Sequence, residues 1–225
     1  MAIWFYDCSI YIEITIYNGM MEYLVFAGVL ATIIATFIYI RLMFTGTVKP
    51  NRITWFMWAF APFIATAAAA SSGVGLAVLP VFMAGFGPFL IFIASFIAKE
   101  SYWRPSKFDY LCGAISALAL VLWFLTDDPN VAIVFAMASD GLAAVPTLKK
   151  AWAHPKTESV WPYMVGVFNA LTSFGAISLW SFPEYAFPSY LIAINIVLVL
   201  SVYHKRLAPW GDRQKQTQTG QVLAS

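Results

Sequence analysis

Seven apolar runs, at roughly 22–43, 53–72, 76–98, 108–126, 130–151, 159–180 and 185–203, occupy most of this 225-residue chain. Each is close to the ~20 residues an α-helix needs to cross the hydrocarbon core of a bilayer. In lipid, only helices and closed barrels satisfy all of their own backbone groups. The runs therefore predict an all-α integral membrane protein with seven transmembrane helices and the lipid bilayer as its main partner. With 61% hydrophobic and 11% charged residues, against about 25% charged in a soluble domain, little sequence remains for a soluble domain.

Lys and Arg collect on the cytoplasmic side of spanning helices. With seven spans, one face receives the loops after runs 1, 3 and 5 and the C-terminus. Those segments hold Arg41, Lys49 and Arg52; Lys99, Arg104 and Lys107; Lys149, Lys150 and Lys156; and Lys205, Arg206, Arg213 and Lys215, all 13 basic residues of the chain. The opposite face carries Asp7, Glu13, Glu22, Asp127, Asp128 and Glu184. The expected topology is N-terminus outside and C-terminus cytoplasmic. The net charge of +2 comes from residues that set topology and gives no reason to expect a nucleic-acid partner.

Residues 1–21 form an extracytoplasmic segment without the basic start of a signal peptide. Within it SIYIEITIYNG (9–19) alternates Ile with Tyr, Glu and Thr, a period-2 pattern that predicts a strand or extended stretch. An amphipathic tail on the outer interface and a translation start at Met20 or Met21 are the two alternatives. Residues 206–225 read as a polar cytoplasmic tail. Cys8 and Cys112 fall at different depths, so no disulfide is expected.

The chain divides into two units of three helices. Setting Pro50 against Pro155 places Thr54 on Ser159 and runs 1–3 on runs 5–7. Residue identity between the units is near chance; spans and charge placement carry the correspondence. Two three-helix units joined directly would insert with opposite orientations, and one extra helix restores a common one. The expected organisation is a repeat over 22–100, a cytoplasmic loop and linker helix over 101–126, and a second repeat over 127–205. Parallel repeats of this kind place a substrate site between the halves near the membrane midplane.

The stretch DGLAAVPTLKKAWAHPKTESVWPY (140–163) carries the most specific pattern. Val145-Pro146-Thr147, the pair Lys149-Lys150 and then Lys156-Thr157-Glu158-Ser159 resemble the PQ-loop motif: Pro-Gln near a helix end, a basic loop, and a Lys-Ser start to the next helix. Ser159-Val160-Trp161-Pro162-Tyr163 is similar to the start of the sixth helix of SWEET transporters. The chain thus resembles the PQ-loop/SWEET superfamily as a divergent member, with the 3+1+3 plan covering residues 22–205. Thr147 stands where the motif has Gln, and Ile40-Arg41 stands where the first repeat would carry Pro-Gln. KPNR-T-W and FDYLCG segments resemble those of uncharacterised bacterial membrane proteins, which implies a bacterial inner (plasma) membrane. The resemblance also implies gating at prolines, with Pro146 and Pro162 at matching positions. Pro62 and Pro88 are further hinge candidates on physical grounds, since a proline inside a helix removes a hydrogen bond. Pro162 also suits the first turn of a helix with no hinge role.

Asp140 is the one acid placed well inside a span. An aspartate there costs ~2.5–3.5 kcal/mol to insert and so should face the bundle interior or water. Ala136, Ala143, Ala144 and Thr147 share its helical face, a small-residue surface that permits close packing or leaves room for a solute. Its chemistry suits proton coupling, pairing with an ammonium group on a substrate, or a structural hydrogen bond. Asn169, Thr172 and Ser173 share a face of the sixth run, and Thr32, Thr36 and Tyr39 one of the first. Asn195 is the amide of the seventh, and the resemblance matches it to a sugar-binding Asn. Trp58 and Tyr163 occupy corresponding positions in the two repeats and are candidates for the floor of the site. Trp55, Trp58, Trp152, Trp161, Tyr163 and Trp180 all suit interfacial aromatic belts as well. The expected substrate-binding set is Asp140, Asn169, Asn195, Ser173, Trp58 and Tyr163, and the hinge set Pro146, Pro162 and Pro62.

Enzymatic readings find no support in the sequence. His154 and His204 are the two histidines, no His/acid cluster has metal-ligand spacing, and no phosphate loop or nucleophile elbow occurs. No catalytic residue, metal or cofactor is expected. The seventh run lacks the lysine a retinal pump would need. The expected function is alternating-access transport of a small polar solute, a sugar or an amino acid, with proton coupling through Asp140 as an option. The alternative is a non-transporting receptor or assembly protein. A homo-oligomer is compatible with either.

Overall fold

The structure is a computed structural model that describes residues 2–98, 103–125 and 128–207, with side chains described from residue 22 onward except 119–120, 122–124 and 205–207. Among these residues the chain forms seven α-helices: α1 (Ala2–Phe44), α2 (Arg52–Ser71), α3 (Val78–Ile97), α4 (Lys107–Phe124), α5 (Pro129–Ala153), α6 (Trp161–Gly175) and α7 (Phe182–Leu207). A 3-10 turn, Pro155–Thr157, links α5 to α6. Five helices are long and apolar enough to cross a membrane: Glu22–Phe44 within α1, then α2, α3, α5, and Phe182–His204 within α7. Two expectations change. Residues 9–19 continue α1 as helix rather than forming a strand; in an unbroken backbone spiral, the local alternation of Ile with polar residues does not decide the conformation. The sixth apolar run yields only the 15 residues of α6, which ends at Gly175.

Local chemistry accounts for the helix starts. Asn51 caps α2 by accepting from Ile53 N (3.1 Å), and its amide donates to Asp109 Oδ1 (3.1 Å) near the start of α4. Asp128 accepts from Asn130 N (2.8 Å), with Pro129 in the first turn of α5. Side-chain oxygens at these caps supply acceptors for N–H groups that lack an intrahelical partner. The three loops that carry basic residues lie together. Lys49 N donates to Thr157 O (3.1 Å) and Trp103 N to Pro50 O (3.0 Å). These bonds join the α1–α2, α3–α4 and α5–α6 connections at one end of the bundle, hereafter the basic end.

The helices pack in a defined order. α1 lies against α3 and α6, α2 against α3 and α5, α5 against α7, and α6 against α7, while among the described residues α4 touches only α2 and α5. Alanines of α2 and α5, including Ala59, Ala61, Ala136, Ala143 and Ala144, are fully buried and permit close backbone approach. Outward faces are apolar: Leu30, Ile34 and Phe37 on α1 and Leu111, Leu118 and Val121 on α4 are exposed. Such continuous apolar surface suits lipid far better than water.

Pro146 lies inside α5, so Leu142 O has no N–H four residues on to accept from. The neighbouring turns are held from outside. Thr54 Oγ1 on α2 donates to Ala143 O (2.9 Å), Trp58 Nε1 on α2 to Asp140 O (3.2 Å), and Ser116 Oγ on α4 to Ser139 O (2.9 Å). Thr147 Oγ1 donates to Thr54 Oγ1 (3.2 Å). Thr54→Val keeps the shape and removes both bonds. It should destabilise the folded protein by ~1–2 kcal/mol, read as a lower midpoint in mixed-micelle denaturation. An unchanged midpoint would mean that Thr54 contributes nothing to holding α5.

Candidate functional site

A cavity of about 90 Å³ lies between α1, α2, α3, α5, α6 and α7, all the helices except α4. Asp140, Asn169, Asn195, Trp58, Tyr163 and Pro162 line it, so most of the residues singled out from sequence converge on one space. Ser173 does not line it. It is fully buried elsewhere on α6, and its hydroxyl has no hydrogen-bond partner. Pro146 and Pro62 also lie off the cavity wall, whereas Pro88 is on it. Pro162 occupies the first turn of α6, where a proline lacks only an N–H that would be unpaired anyway. Thr32 and Thr36 of α1 complete the polar lining, and the rest is apolar or aromatic.

Asp140 is 3% exposed and accepts from Tyr190 Oη of α7 (2.8 Å). A bond to a carboxylate contributes ~1.5–3 kcal/mol, which offsets much of the insertion cost. Two amides are held at their nitrogen ends. Asn169 Nδ2 donates to Pro80 O (2.7 Å), and Asn195 Nδ2 donates to Leu191 O (2.8 Å). Facing carbonyls fix which end of each amide is nitrogen. Each Asn oxygen therefore points away from its anchor. Asn169 Oδ1 faces Gly28 of α1, and Asn195 Oδ1 faces Gly166 of α6. A Cβ on Gly28 would sit 3.0 Å from Asn169 Oδ1, and one on Gly166 would sit 2.7 Å from Asn195 Oδ1.

Between the cavity and the basic end lies a buried aromatic layer. Tyr39 and Trp55 have ring centroids 4.9 Å apart, Trp55 and Trp58 5.3 Å, and Trp58 and Tyr163 6.1 Å. Behind it Lys150 Nζ pairs with Glu158 Oε1 at 2.5 Å, both side chains fully buried. The Tyr39 and Tyr163 hydroxyls donate to Glu158 Oε2 (3.4 and 3.2 Å). Lys150 also donates to Lys49 O and lies 5.3 Å from the Trp103 ring centroid. Rings, an ion pair and loop backbone thus pack together on the side of the cavity lined by Trp55, Trp58 and Tyr163.

Sequence reasoning missed this plug. Lys150 and Glu158 read as loop charges, and Tyr190 was not singled out at all. Their one available signal was the acid in Lys-Thr-Glu-Ser, which the 3-10 turn folds back towards Lys150. The aromatic residues also divide. Trp55, Trp58 and Tyr163 are interior, while Trp152, Trp161 and Trp180 are exposed as interfacial residues would be. No family model, curated protein or solved structure matches this chain.

Removing one partner of a buried pair leaves the other charge uncompensated, at a cost of ~3–5 kcal/mol. Glu158→Gln and Lys150→Met should each lower the unfolding midpoint strongly. The double variant Lys150→Met/Glu158→Leu should recover most of that loss. Additive losses in the double variant would show that the two residues do not act as a pair.

Proposed function

We propose that the protein is a membrane transporter that moves a small polar solute by alternating access. The observation that carries this reading is the central cavity, placed among six helices and lined by a buried carboxylate and two amides. A tightly packed interior would have favoured a purely structural role for those groups. Solute sites in transporters lie near the midplane between repeats.

In this reading α1–α3 and α5–α7 are parallel repeats, α4 is the linker, and the divergent likeness to the PQ-loop/SWEET superfamily reflects common architecture. The helix neighbours support it. Under the correspondence of α1, α2 and α3 with α5, α6 and α7, α1–α3 maps to α5–α7, α2–α3 to α6–α7, and α1–α6 to α5–α2, all observed contacts. The peripheral α4 has no place in the correspondence. The basic end faces the cytoplasm of a bacterial inner membrane, where the ring and Lys150–Glu158 layer acts as the inner gate. Asp140 couples movement to protons, since a carboxylate in such a place alternates between charged and neutral forms.

A second reading, a receptor or assembly protein that carries nothing, is favoured by one fact. Both amide nitrogens and Asp140 Oδ2 are engaged with the protein itself, as structural polar groups would be. Uptake of pooled sugars, amino acids and amines into proteoliposomes, with and without a proton gradient, separates the two. Transport driven by the gradient and reduced at least about tenfold in Asp140→Asn is expected. No uptake by folded protein would leave the receptor or assembly reading.

Orientation has its own test. In a Cys8→Ser/Cys112→Ser background, Lys156→Cys should react with an impermeant maleimide in inverted membrane vesicles and be protected in intact cells. The reverse pattern would invert the proposed topology.

A further inference from the structure

The cavity's hydrogen-bonding capacity is lopsided. Donors on its wall are mostly engaged: Trp58 Nε1 with Asp140 O, Asn169 Nδ2 with Pro80 O, Asn195 Nδ2 with Leu191 O, the Tyr163 hydroxyl with Glu158, and Thr32 Oγ1 with Gly28 O. Trp55 Nε1 is unpartnered but buried from the open space. What remains is largely acceptor. Asp140 takes its hydrogen bond at Oδ2 from Tyr190, leaving Oδ1; Asn195 Oδ1 also lacks a donor, Asn169 Oδ1 is unpartnered but buried from the open space like Trp55 Nε1, and the Thr36 hydroxyl on the wall can donate or accept. Among the described residues no Lys, Arg or His lines the space, and the nearby Lys150 is already paired with Glu158. An anion would find no counter-charge. A sugar, with hydroxyls that donate and accept, would leave its acceptors unmet, at a cost for each buried polar group.

We propose that this cavity binds a small organic ammonium ion, its N–H groups on Asp140 and its apolar body against the aromatic wall and Leu191 and Ile194 of α7. A single buried carboxylate supplies one countercharge, beside the aromatic side chains of Trp58 and Tyr163. The remaining lining is apolar, with Met83, Ile91 and Leu198 on it, and suits a hydrocarbon substituent. The small volume excludes large polyamines from fitting entirely within it. This proposal rests on the cavity being a solute site, and it names the solute's class.

Isothermal titration calorimetry on the purified full-length chain tests it with four probes: isobutylammonium, isobutanol, isobutyrate and glucose. Isobutylammonium should bind saturably and about tenfold or more tighter than isobutanol, the neutral isostere. Asp140→Asn should remove that difference, and Asp140→Glu should retain part of it. Equal or tighter binding of isobutanol, isobutyrate or glucose by the wild type would overturn the proposal, as would no saturable binding of isobutylammonium. The wild-type series decides the matter even if a variant fails to fold. Amine binding without uptake would end the transport reading and keep this one. Sugar uptake without amine binding would do the reverse.

Discussion

Helix α5 cannot satisfy itself. Within eight residues it carries a buried carboxylate at Asp140 and a proline at Pro146, which leaves the Leu142 carbonyl without its intrahelical donor, while the carbonyls at 139, 140 and 143 take further donors from neighbouring helices. In a hydrocarbon medium each unmet polar group costs several kcal/mol, so the neighbours must come to α5. Thr54 and Trp58 fix the register of α2 against it, Ser116 fixes α4, and Tyr190 fixes α7. The alanines on its buried faces bring those donors within reach. The position of the cavity follows, because the same contacts that hold α5 set Asp140 and Trp58 on the cavity wall.

Two buried acids are treated in opposite ways. Glu158 is complete, with Lys150 on one oxygen and two tyrosine hydroxyls on the other. Such a group resists change, since opening it strands at least one charge. Asp140 is incomplete, with one hydrogen bond and an adjoining space. The first is suited to keeping a barrier shut and the second to exchanging partners. Tyr163 belongs to both surroundings, donating to Glu158 and lining the cavity that Asp140 also lines.

Much of this is legible in the sequence. The seven apolar runs correspond to seven helices, and the loops with basic residues are joined by Lys49–Thr157 and Trp103–Pro50. Asp140, Asn169 and Asn195 were visible because a polar side chain in an apolar run must have an outlet. Other features depend on contacts that sequence spacing does not encode. Tyr190 looks like any aromatic in a span until α7 is placed beside α5. Lys150 and Glu158 meet only because a 3-10 turn reverses the chain between them. Ser173 shares the helical face of Asn169, yet α6 presents only part of that face to the open space. The alternation over 9–19 is too short to oppose continuation of a helix.

Gly28 and Gly166 show a further property of this arrangement. Neither bears a functional group, yet each supplies the gap into which an amide oxygen of the next helix fits. Any side chain there would push the amide off its anchoring carbonyl or drive two helices apart. Tolerance to variation should therefore run opposite to chemical interest. An Asn could give way to Gln, which keeps an amide nitrogen for the anchoring carbonyl as well as an oxygen, whereas the bare backbone opposite it has no substitute. In a lineage of such chains, the most slowly changing positions would mark where a side chain must be absent.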